Sequence, residues 1–208
     1  MLQESPAPLL LVISAPSGAG KTTVCERLLA ATPNLTRAIT CTTRPPRDGE
    51  KEGVDYHFLD PETFLKRVQA GHFVEHATVY GQSYGTLKSE LLDKLRMGKD
   101  VLLTVDVQGA ASIRARAQID AALQRSLATA FLTTPSIQIL EERLKKRGKD
   151  SPAVIQRRLA VARQEIAQWR HFDYLVISTT IEEDLRRMRV VYEAEKMRQA
   201  RTPPPLCD

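Results

Sequence analysis

The hydrophobic positions of this chain form short continuous runs, each followed by a pattern with helical spacing. Residues 9–13, 101–105, 128–133 and 174–178 are the apolar runs, and helical spacing follows the first of them over residues 20–31. Such runs are typical of strands that are buried on both faces of a parallel sheet. Strands that alternate with helices predict an α/β fold with right-handed crossovers.

Two segments depart from this alternation. Residues 39–89 are rich in Thr, Arg, Gly and Tyr, with short β-like pieces at 56–58 and 73–75. They predict a small mixed β subdomain inserted between elements of the core. Residues 136–165 are basic and helical, with a break at 148–150, and they predict a pair of helices outside the sheet.

Residues 14–22 join the first apolar run to the first helix and read Ser-Ala-Pro-Ser-Gly-Ala-Gly-Lys-Thr. Small residues allow successive backbone N–H groups to surround a polyphosphate, and the helix directs the positive end of its dipole at the same anion. An ordinary turn is the alternative, but the strand–loop–helix context favours a nucleoside triphosphate. The predicted binding residues are Ala15, which replaces the first glycine of the usual pattern, Pro16, Ser17, Gly18, Ala19, Gly20, Lys21 and Thr22.

Asp106 follows the apolar run 101–105, at the carboxyl edge of the predicted sheet, where ligands bind in such folds. A carboxylate beside a phosphate loop holds Mg²⁺ directly or through water, with the Thr22 hydroxyl as a second ligand. A simple helix cap is the alternative reading of Asp106. Strand alternation directs Thr104 to the same side as Asp106.

Composition and charge indicate which partners and which cellular environment to expect. The 208 residues are 42% hydrophobic and 26% charged, and the formal net charge is +5. The chain has no basic stripe interleaved with aromatic residues, so we expect the positive charge to serve phosphate binding and expect no nucleic-acid partner. Cys25, Cys41 and Cys207 form no closely spaced pair, which predicts a reducing, cytoplasmic environment. We also expect no membrane partner, because no apolar stretch approaches the length of a membrane span.

The stretch 40–50 places Arg44 and Arg47 around a stiff pair of prolines, an arrangement that suits forked contacts with phosphate. Surface arginines are common, so this pattern alone is weak. Together with residues 14–22, 55–58, Glu75, 80–86 and the stretch Asp106-Val-Gln-Gly109, it is specific. From residue 9 to about residue 198 the chain resembles the guanylate kinases of bacteria.

The resemblance implies a phosphate-loop kinase of three parts. These are a nucleotide-binding core (8–38, 90–135 and 166–200), a GMP-binding subdomain (39–89) and a helical lid (136–165). It implies transfer of the γ-phosphoryl group of ATP to GMP, giving ADP and GDP, in purine nucleotide recycling. Mg²⁺ is the implied cofactor, ATP and GMP are the implied partners, and the oligomeric state is left open.

The resemblance also assigns roles to individual residues. Implied GMP-binding residues are Thr40, Arg44, Arg47, Tyr56, Glu75, Tyr84, Thr86, Thr104 and Asp106. Implied metal ligands are Thr22 and Asp106. Implied catalytic residues, which neutralise charge on the transferring phosphoryl group, are Lys21, Arg44, Arg143, Arg147 and Arg158.

The chemistry of guanine agrees with the role of Glu75. Guanine donates hydrogen bonds from N1 and its 2-amino group, and an ionised carboxylate accepts both, while the hydroxyls of Thr40 and Thr86 can donate to O6. Adenine has an acceptor at N1 and lacks the 2-amino group, so such a site can discriminate by roughly 10⁴. Without the resemblance, a solvated strand carboxylate would be the preferred reading of Glu75.

The chain departs from the family pattern at three places. Thr104 stands where the family usually has an aspartate, Cys41 replaces a commoner Ser or His, and Ser178-Thr179-Thr180 replaces the usual Asn-Asp-Asp near the adenine. Two alternatives stay open: a phosphosugar kinase of the same fold, and a non-catalytic interaction domain that resembles guanylate kinase. The first conflicts with Glu75 and the threonine pair, and the second with the intact Lys21 and Thr22.

Overall fold

A computed structural model describes residues 7–79, 81–148 and 150–202. Cys207 lies outside the described residues. Within them, Cys25 and Cys41 are free and buried thiols.

The larger sheet contains, among the described residues, five strands in the spatial order β2-β7-β1-β8-β9, all parallel. Its strands are β1 (Leu10–Ser14), β2 (Leu35–Arg37), β7 (Asp100–Thr104), β8 (Leu127–Thr133) and β9 (Tyr174–Ile177). The helices that connect or follow them are α1 (Lys21–Ala31), α3 (Lys88–Arg96), α4 (Val107–Ala117), α5 (Ala121–Ser126), α6 (Ile137–Lys146), α7 (Pro152–Ile166) and α8 (Ile181–Lys196).

Strand β1 lies at the centre of this sheet and is buried along its whole length. Its side chains alternate between two hydrophobic clusters. Leu11 and Ile13 pack with residues of α1, α6, α7 and α8, whereas Leu10 and Val12 pack with residues of α3, α4 and α5. Helices therefore cover both faces of the sheet, as the continuous apolar runs predict.

The second sheet is mixed and has the order β4-β3-β6-β5. Its strands are β3 (Thr40–Thr42), β4 (Tyr56–Phe58), β5 (Phe73–Val79) and β6 (Gln82–Leu87), and helix α2 (Pro61–Gln69) packs on one of its faces. The β3–β4 pair is parallel, and the other pairs are antiparallel. Cys41, Phe64 and Phe73 form the small hydrophobic cluster between this sheet and α2.

A β-bulge in β5 decides which face of the second sheet carries Glu75. Phe73 pairs with Leu87, but Glu75 pairs with Thr86, so the register shifts by one residue between them. Phe73 and Glu75 would otherwise share a face, since they are two residues apart. The bulge leaves Phe73 on the α2 face and turns Glu75 to the opposite face.

Helices α6 and α7 occupy the segment 136–165, and the break between them begins after Arg147. Ser151 caps α7 by accepting a hydrogen bond from the Val154 backbone N–H at 3.4 Å, and Pro152 takes the first helical position. Across the residues that the structure covers, no helix is long and apolar enough to cross a membrane.

The predicted α/β class, with a parallel sheet and a second mixed sheet, is confirmed. The strand predicted at 101–105 is shifted by one residue, because pairing begins at Asp100 and ends at Thr104. The piece predicted at 73–75 continues to Val79, since it pairs along β6. The proposed division into core, GMP-binding subdomain and lid stays a prediction.

Gly85 on β6 offers the first test. A Cβ atom at this position would lie 2.9 Å from the Phe73 ring and 3.1 Å from the Glu75 carbonyl oxygen. We expect Gly85→Ala to lower the free energy of unfolding by about 1–3 kcal/mol, because Phe73 or the bulge must shift. Urea denaturation measures this loss, and Ser83→Ala on the same strand is the control, with an expected change under about 0.5 kcal/mol. Equal stability of the two variants would contradict the close packing over Gly85.

Candidate functional site

The loop 14–22 connects β1 to α1 and has two residues with left-handed backbone angles. Gly18 has φ 94° and Gly20, the N-cap of α1, has φ 96°. A Cβ at Gly18 would also lie 3.0 Å from the Leu144 side chain on α6, so this glycine permits close packing of α6 on the loop. The Ala19 N–H donates to the Pro16 carbonyl oxygen at 3.1 Å, which closes the turn.

The loop forms one wall of a cleft of about 980 Å³. Of the predicted phosphate-binding residues, the lining includes Ala15, Pro16, Ser17, Gly18, Gly20, Lys21 and Thr22, and it also includes Asp106, Arg147 and Arg158. Ala19, which belongs to the same loop, is fully buried and is not among the lining residues. Residues from the loop, from the start of α4 and from α6 and α7 therefore surround one space.

Lys21 lies in this cleft, and its Nζ donates to the Val105 carbonyl oxygen at 3.2 Å. Burial lowers the pKa of Lys21, and the neighbouring Cys25, Asp106 and Glu165 oppose the shift. A phosphate next to Lys21 would favour its charged form.

Asp106 caps helix α4 and lines the cleft. Its Oδ1 accepts a hydrogen bond from the Gly109 backbone N–H at 2.7 Å, so the helix-cap reading of this residue holds in the structure. Capping does not remove it from the site, because its carboxylate still borders the same cleft as Lys21 and Thr22.

The donors around the loop suit Mg²⁺. Within residues 7–79, 81–148 and 150–202, no group of three or more His, Cys, Asp or Glu side chains is arranged to hold a metal ion. Mg²⁺ bound to a nucleotide commonly uses one or two protein oxygens, with phosphates and water as its other ligands. The Thr22 hydroxyl and the Asp106 carboxylate are hard oxygen donors that line the same cleft, so they fit this ion.

Thr104 ends β7, where it pairs with Ile13 of β1, and its side chain is half-buried. It lies two residues before Asp106 but is not among the residues that line the cleft. The structure therefore places it beside the site rather than in the wall of the cleft.

The second sheet gathers five of the predicted GMP-binding residues on one face. Thr40 pairs with Tyr56, Glu75 pairs with Thr86, and Tyr84 is two residues from Thr86 on the same strand. Register and alternation put these five side chains on the face opposite α2. The rings of Tyr56 and Tyr84 meet edge to face, with centroids 6.2 Å apart. These residues lie outside the lining of the 980 Å³ cleft, although Thr78 and Val79 at the end of β5 reach it.

Glu75 connects this face to the core. Its side chain is almost fully buried (5% exposed), its Oε1 accepts a hydrogen bond from the Thr86 hydroxyl at 2.6 Å, and its Oε2 lies against Gly109 of α4. A Cβ at Gly109 would stand only 2.9 Å from Oε2, so the absence of a side chain there admits the carboxylate. Burial raises the pKa of Glu75 to about 7, and the nearby Asp106 charge adds to the shift.

Arg44 is held by a carboxylate. Its two terminal nitrogens donate to the two oxygens of Glu50, both at 2.6 Å, and its guanidinium lies 4.9 Å from the centre of the Tyr56 ring. These bonds lower the pKa of Glu50 to about 2 and raise that of Arg44. Arg47 is exposed, and its backbone N–H donates to the same Glu50. Glu50 thus contacts the guanidinium of Arg44 and the backbone N–H of Arg47.

The three arginines assigned to the lid have different surroundings. Arg143 on α6 donates to the Ala19 carbonyl oxygen at 3.3 Å, to the Ser178 hydroxyl at 2.9 Å and to the Thr179 carbonyl oxygen at 3.1 Å. Arg147 is exposed at the end of α6, and Arg158 on α7 forms an ion pair with Asp150 at 3.1 Å. Arg147 and Arg158 line the cleft, whereas Arg143 reaches the loop from behind it.

Three acidic residues contact this region although the sequence patterns do not predict a role for them. Glu50 pairs with Arg44, Asp184 accepts from Ser178 and Thr179, and Glu165 on α7 lines the cleft near Ser17 and Lys21. Burial raises the pKa of Glu165 to about 7, and Asp106 adds to this shift. Only Glu50 had a local signal, its position three residues after Arg47, because the other two come near the site through tertiary packing.

Comparison with known proteins gives consistent matches along the chain. The family model described as guanylate kinase matches residues 8–195. The guanylate kinase of Coxiella burnetii is 43% identical over 190 residues, which cover 91% of this chain and 89% of that protein. That of Nitrosomonas europaea is 43% identical and covers 92% of each chain. The crystal structure of guanylate kinase from Anaplasma phagocytophilum has a TM-score of 0.75 and 32% identity, covering 96% of this chain and 91% of the other.

The burial of Glu75 predicts a pH-dependent contribution to stability. Its pKa is about 7 in the folded protein, whereas a glutamate in water has an ordinary pKa of 4.5, so the folded state binds more protons between these values. This contribution to the free energy of unfolding therefore falls as the pH rises from about 4.5 to 7. We expect Glu75→Gln to gain stability relative to the unmodified chain between pH 5 and pH 8, as measured by denaturant titration.

The control for this prediction is Thr86→Val, which removes the hydrogen bond to Glu75 but keeps the carboxyl group. The difference in stability between Thr86→Val and the unmodified protein should not rise with pH as it does for Glu75→Gln, because the titrating carboxyl group of Glu75 remains. A difference for Glu75→Gln that does not change with pH would contradict the raised pKa.

Proposed function

The chain belongs to the guanylate kinase family, and from this premise we propose how its residues bind ATP and GMP. Guanylate kinases transfer the γ-phosphoryl group of ATP to GMP, giving ADP and GDP, and this is the reaction of the chain. The single observation that carries the assignment of substrates to sites is the buried pair of Glu75 and Thr86 beside the phosphate-loop cleft. The division into a core, a GMP-binding subdomain at 39–89 and a lid at 136–165 is part of the same proposal.

The donor triphosphate binds in the cleft formed by the loop 14–22. Backbone N–H groups around Gly18 and Gly20 and the first turn of α1 contact its phosphates. Lys21 contacts the β- and γ-phosphates, and its position against the Val105 carbonyl oxygen holds it at the bottom of the cleft. The large volume of this cleft suits a triphosphate.

The acceptor GMP binds on the face of the second sheet opposite α2. Glu75 accepts hydrogen bonds from guanine N1 and the 2-amino group, and the Thr40 hydroxyl donates to O6. The Thr86 hydroxyl donates to Glu75 Oε1 in the structure, so it donates to O6 only after it turns away from that carboxylate. Arg44, Arg47, Tyr56 and Tyr84 bind the phosphate of GMP. Glu50 keeps Arg44 oriented before GMP arrives, which reduces the entropy lost on binding.

Charge neutralisation and positioning account for the transfer step. The attacking phosphate oxygen of GMP needs no strong general base. Arg147 and Arg158 line the cleft and stabilise negative charge on the transferring group, and Arg143 supports the loop. When the two nucleotides bind, they exclude water that would otherwise accept the phosphoryl group.

We assign Mg²⁺ to the Thr22 hydroxyl and the Asp106 carboxylate. The bound ion would neutralise charge on the phosphates of the donor. Thr104, which stands where the family usually has an aspartate, would contact GMP or the water molecules around this ion. The cytoplasmic location expected from the cysteines stays a prediction.

The two alternatives are less favoured. A phosphosugar lacks the adjacent N1–H and 2-amino donors that guanine offers to the Glu75 carboxylate, and a non-catalytic domain would not require the intact loop. The decisive experiment measures ADP release from ATP and Mg²⁺ with a panel of acceptors: GMP, AMP, CMP, UMP and a phosphosugar. Activity with GMP that exceeds AMP by several orders of magnitude supports the proposed acceptor site, and comparable rates for AMP and GMP would overturn it.

Lys21 tests the donor site. We expect Lys21→Ala to lower the turnover number by roughly 10²–10³, because a positive charge that stabilises the transition state is removed. Steady-state ADP release with GMP measures the effect, and circular dichroism checks the fold. Lys145→Ala is the control, since this lysine is exposed on α6 and pairs with Glu141. Wild-type turnover in Lys21→Ala would refute the donor assignment.

Glu75 tests the acceptor site. Glu75→Gln replaces one acceptor oxygen by a donor, so it should raise the KM for GMP by roughly 10- to 100-fold. The KM for ATP should change little, because Glu75 lies outside the cleft lining. Glu62→Gln, at an exposed carboxylate of α2, is the matched control. An unchanged KM for GMP in Glu75→Gln would show that guanine is read elsewhere.

A further inference from the structure

Three residues behind the phosphate loop form a chain of hydrogen bonds that ends at a buried carboxylate. Arg143 Nη1 donates to the Ser178 Oγ at 2.9 Å, and the Ser178 hydroxyl donates to Asp184 Oδ2 at 2.6 Å. Ser178 and Asp184 are both almost fully buried, with 1% and 3% exposure. The network connects α6 and the loop to the end of β9 and the first turn of α8.

Asp184 accepts hydrogen bonds from Ser178 and Thr179, the two residues of the β9–α8 turn to which Arg143 donates. Its Oδ1 accepts from the Thr179 backbone N–H at 2.9 Å, and the carbonyl oxygen of Thr179 accepts from Arg143 Nη2 at 3.1 Å. Its Oδ2 directs the hydroxyl hydrogen of Ser178 away from Arg143, so that an oxygen lone pair faces the guanidinium. Each acceptor of Arg143 in this turn is therefore fixed by one carboxylate oxygen.

The other end of Arg143 reaches the phosphate loop. Its Nη1 donates to the Ala19 carbonyl oxygen at 3.3 Å, next to Gly20 and Lys21. A displaced guanidinium would release this carbonyl group and change the orientation of the peptide groups that surround the phosphates. Arg143 also places a positive charge directly behind the loop, outside the lining of the cleft.

We propose that Asp184 is a positioning residue that acts through Ser178 and Thr179 to hold Arg143 against the phosphate loop. The inference rests on the role proposed above for Arg143. It gives the Ser178-Thr179-Thr180 turn a function in this chain: the serine hydroxyl joins the guanidinium to a buried acid, a connection that needs both Ser178 and Asp184.

A carboxylate is required because two donors converge on it. The Thr179 N–H and the Ser178 O–H each need an acceptor, and Asp184 supplies two oxygens. An asparagine supplies one oxygen and one NH₂ group, so one of the two donors would face another donor. Asp184→Asn keeps the size of the side chain and removes this capacity.

The experiment compares Asp184→Asn and Ser178→Ala with the unmodified enzyme in steady-state kinetics. For both variants we expect kcat to fall by roughly tenfold, because a hydrogen-bonded charge at the loop is lost from its position. The KM for GMP should stay within about twofold, since the network lies on the side of the loop away from the second sheet. A kcat within about twofold of the unmodified enzyme in both variants would overturn the proposal.

Glu195→Gln provides the matched control for stability. Glu195 is a buried carboxylate of the same helix, 1% exposed, but it bonds to the Tyr174 hydroxyl and Arg201 at the other end of α8. It should destabilise the protein in thermal unfolding without changing kcat. A tenfold loss of kcat in Glu195→Gln as well would assign the effect to general destabilisation and overturn the proposal.

A double-mutant cycle separates this inference from the role of Arg143. If Asp184 acts through Arg143, the double variant Arg143→Ala with Asp184→Asn should show no further loss of kcat beyond that of Arg143→Ala. Additive losses would overturn the inference while leaving the role of Arg143 intact. A normal kcat in Arg143→Ala alone would instead refute the role of Arg143.

Discussion

The pairing of strand β1 with β7 on one side and β8 on the other is the constraint on which the rest of the site depends. It puts the end of β1, from which the phosphate loop starts, beside the end of β7, from which the chain reaches Asp106. Lys21 spans the two by donating to the Val105 carbonyl oxygen. Parallel strands end at the same edge, so strand pairing already brings these two segments together, and the Lys21 hydrogen bond adds a contact between them.

Small residues allow the second sheet to pack closely against this edge of the larger sheet. Gly109 lies in the first turn of the helix that Asp106 caps, and its missing side chain leaves room for the Glu75 carboxylate. The β-bulge turns Glu75 toward that helix, and Gly85 lets Phe73 pack on the opposite face. The position of the Glu75 carboxylate against α4 therefore depends on the register shift in β5 and on two glycines, Gly85 and Gly109.

The sequence predicts the core better than it predicts the contacts around it. The apolar runs identify four of the strands in the parallel sheet: β1, β7 and β8, which are buried, and the edge strand β9, in which Leu175 is exposed. Residues 14–22 identify the loop by their own composition. The short strand β2 was missed, since its three residues carry no run. Glu165 and Asp184 were also missed, because each comes near the loop through helix packing and not through a neighbouring motif. The bulge at Glu75 is likewise invisible, as a shift in pairing leaves no mark in the composition.

The charges around the cleft must be balanced before and after nucleotide binding. Arg44 and Arg158 pair with Glu50 and Asp150, so mutual repulsion of arginines, which alone would favour an open cleft, is partly cancelled. Asp106 and Glu165 lie close to Lys21, and burial raises the pKa of both Glu75 and Glu165 to about 7. A triphosphate adds more negative charge to the same space. Its binding is favourable only if cations accompany it, and the cleft is lined by the cationic side chains of Lys21, Arg147 and Arg158.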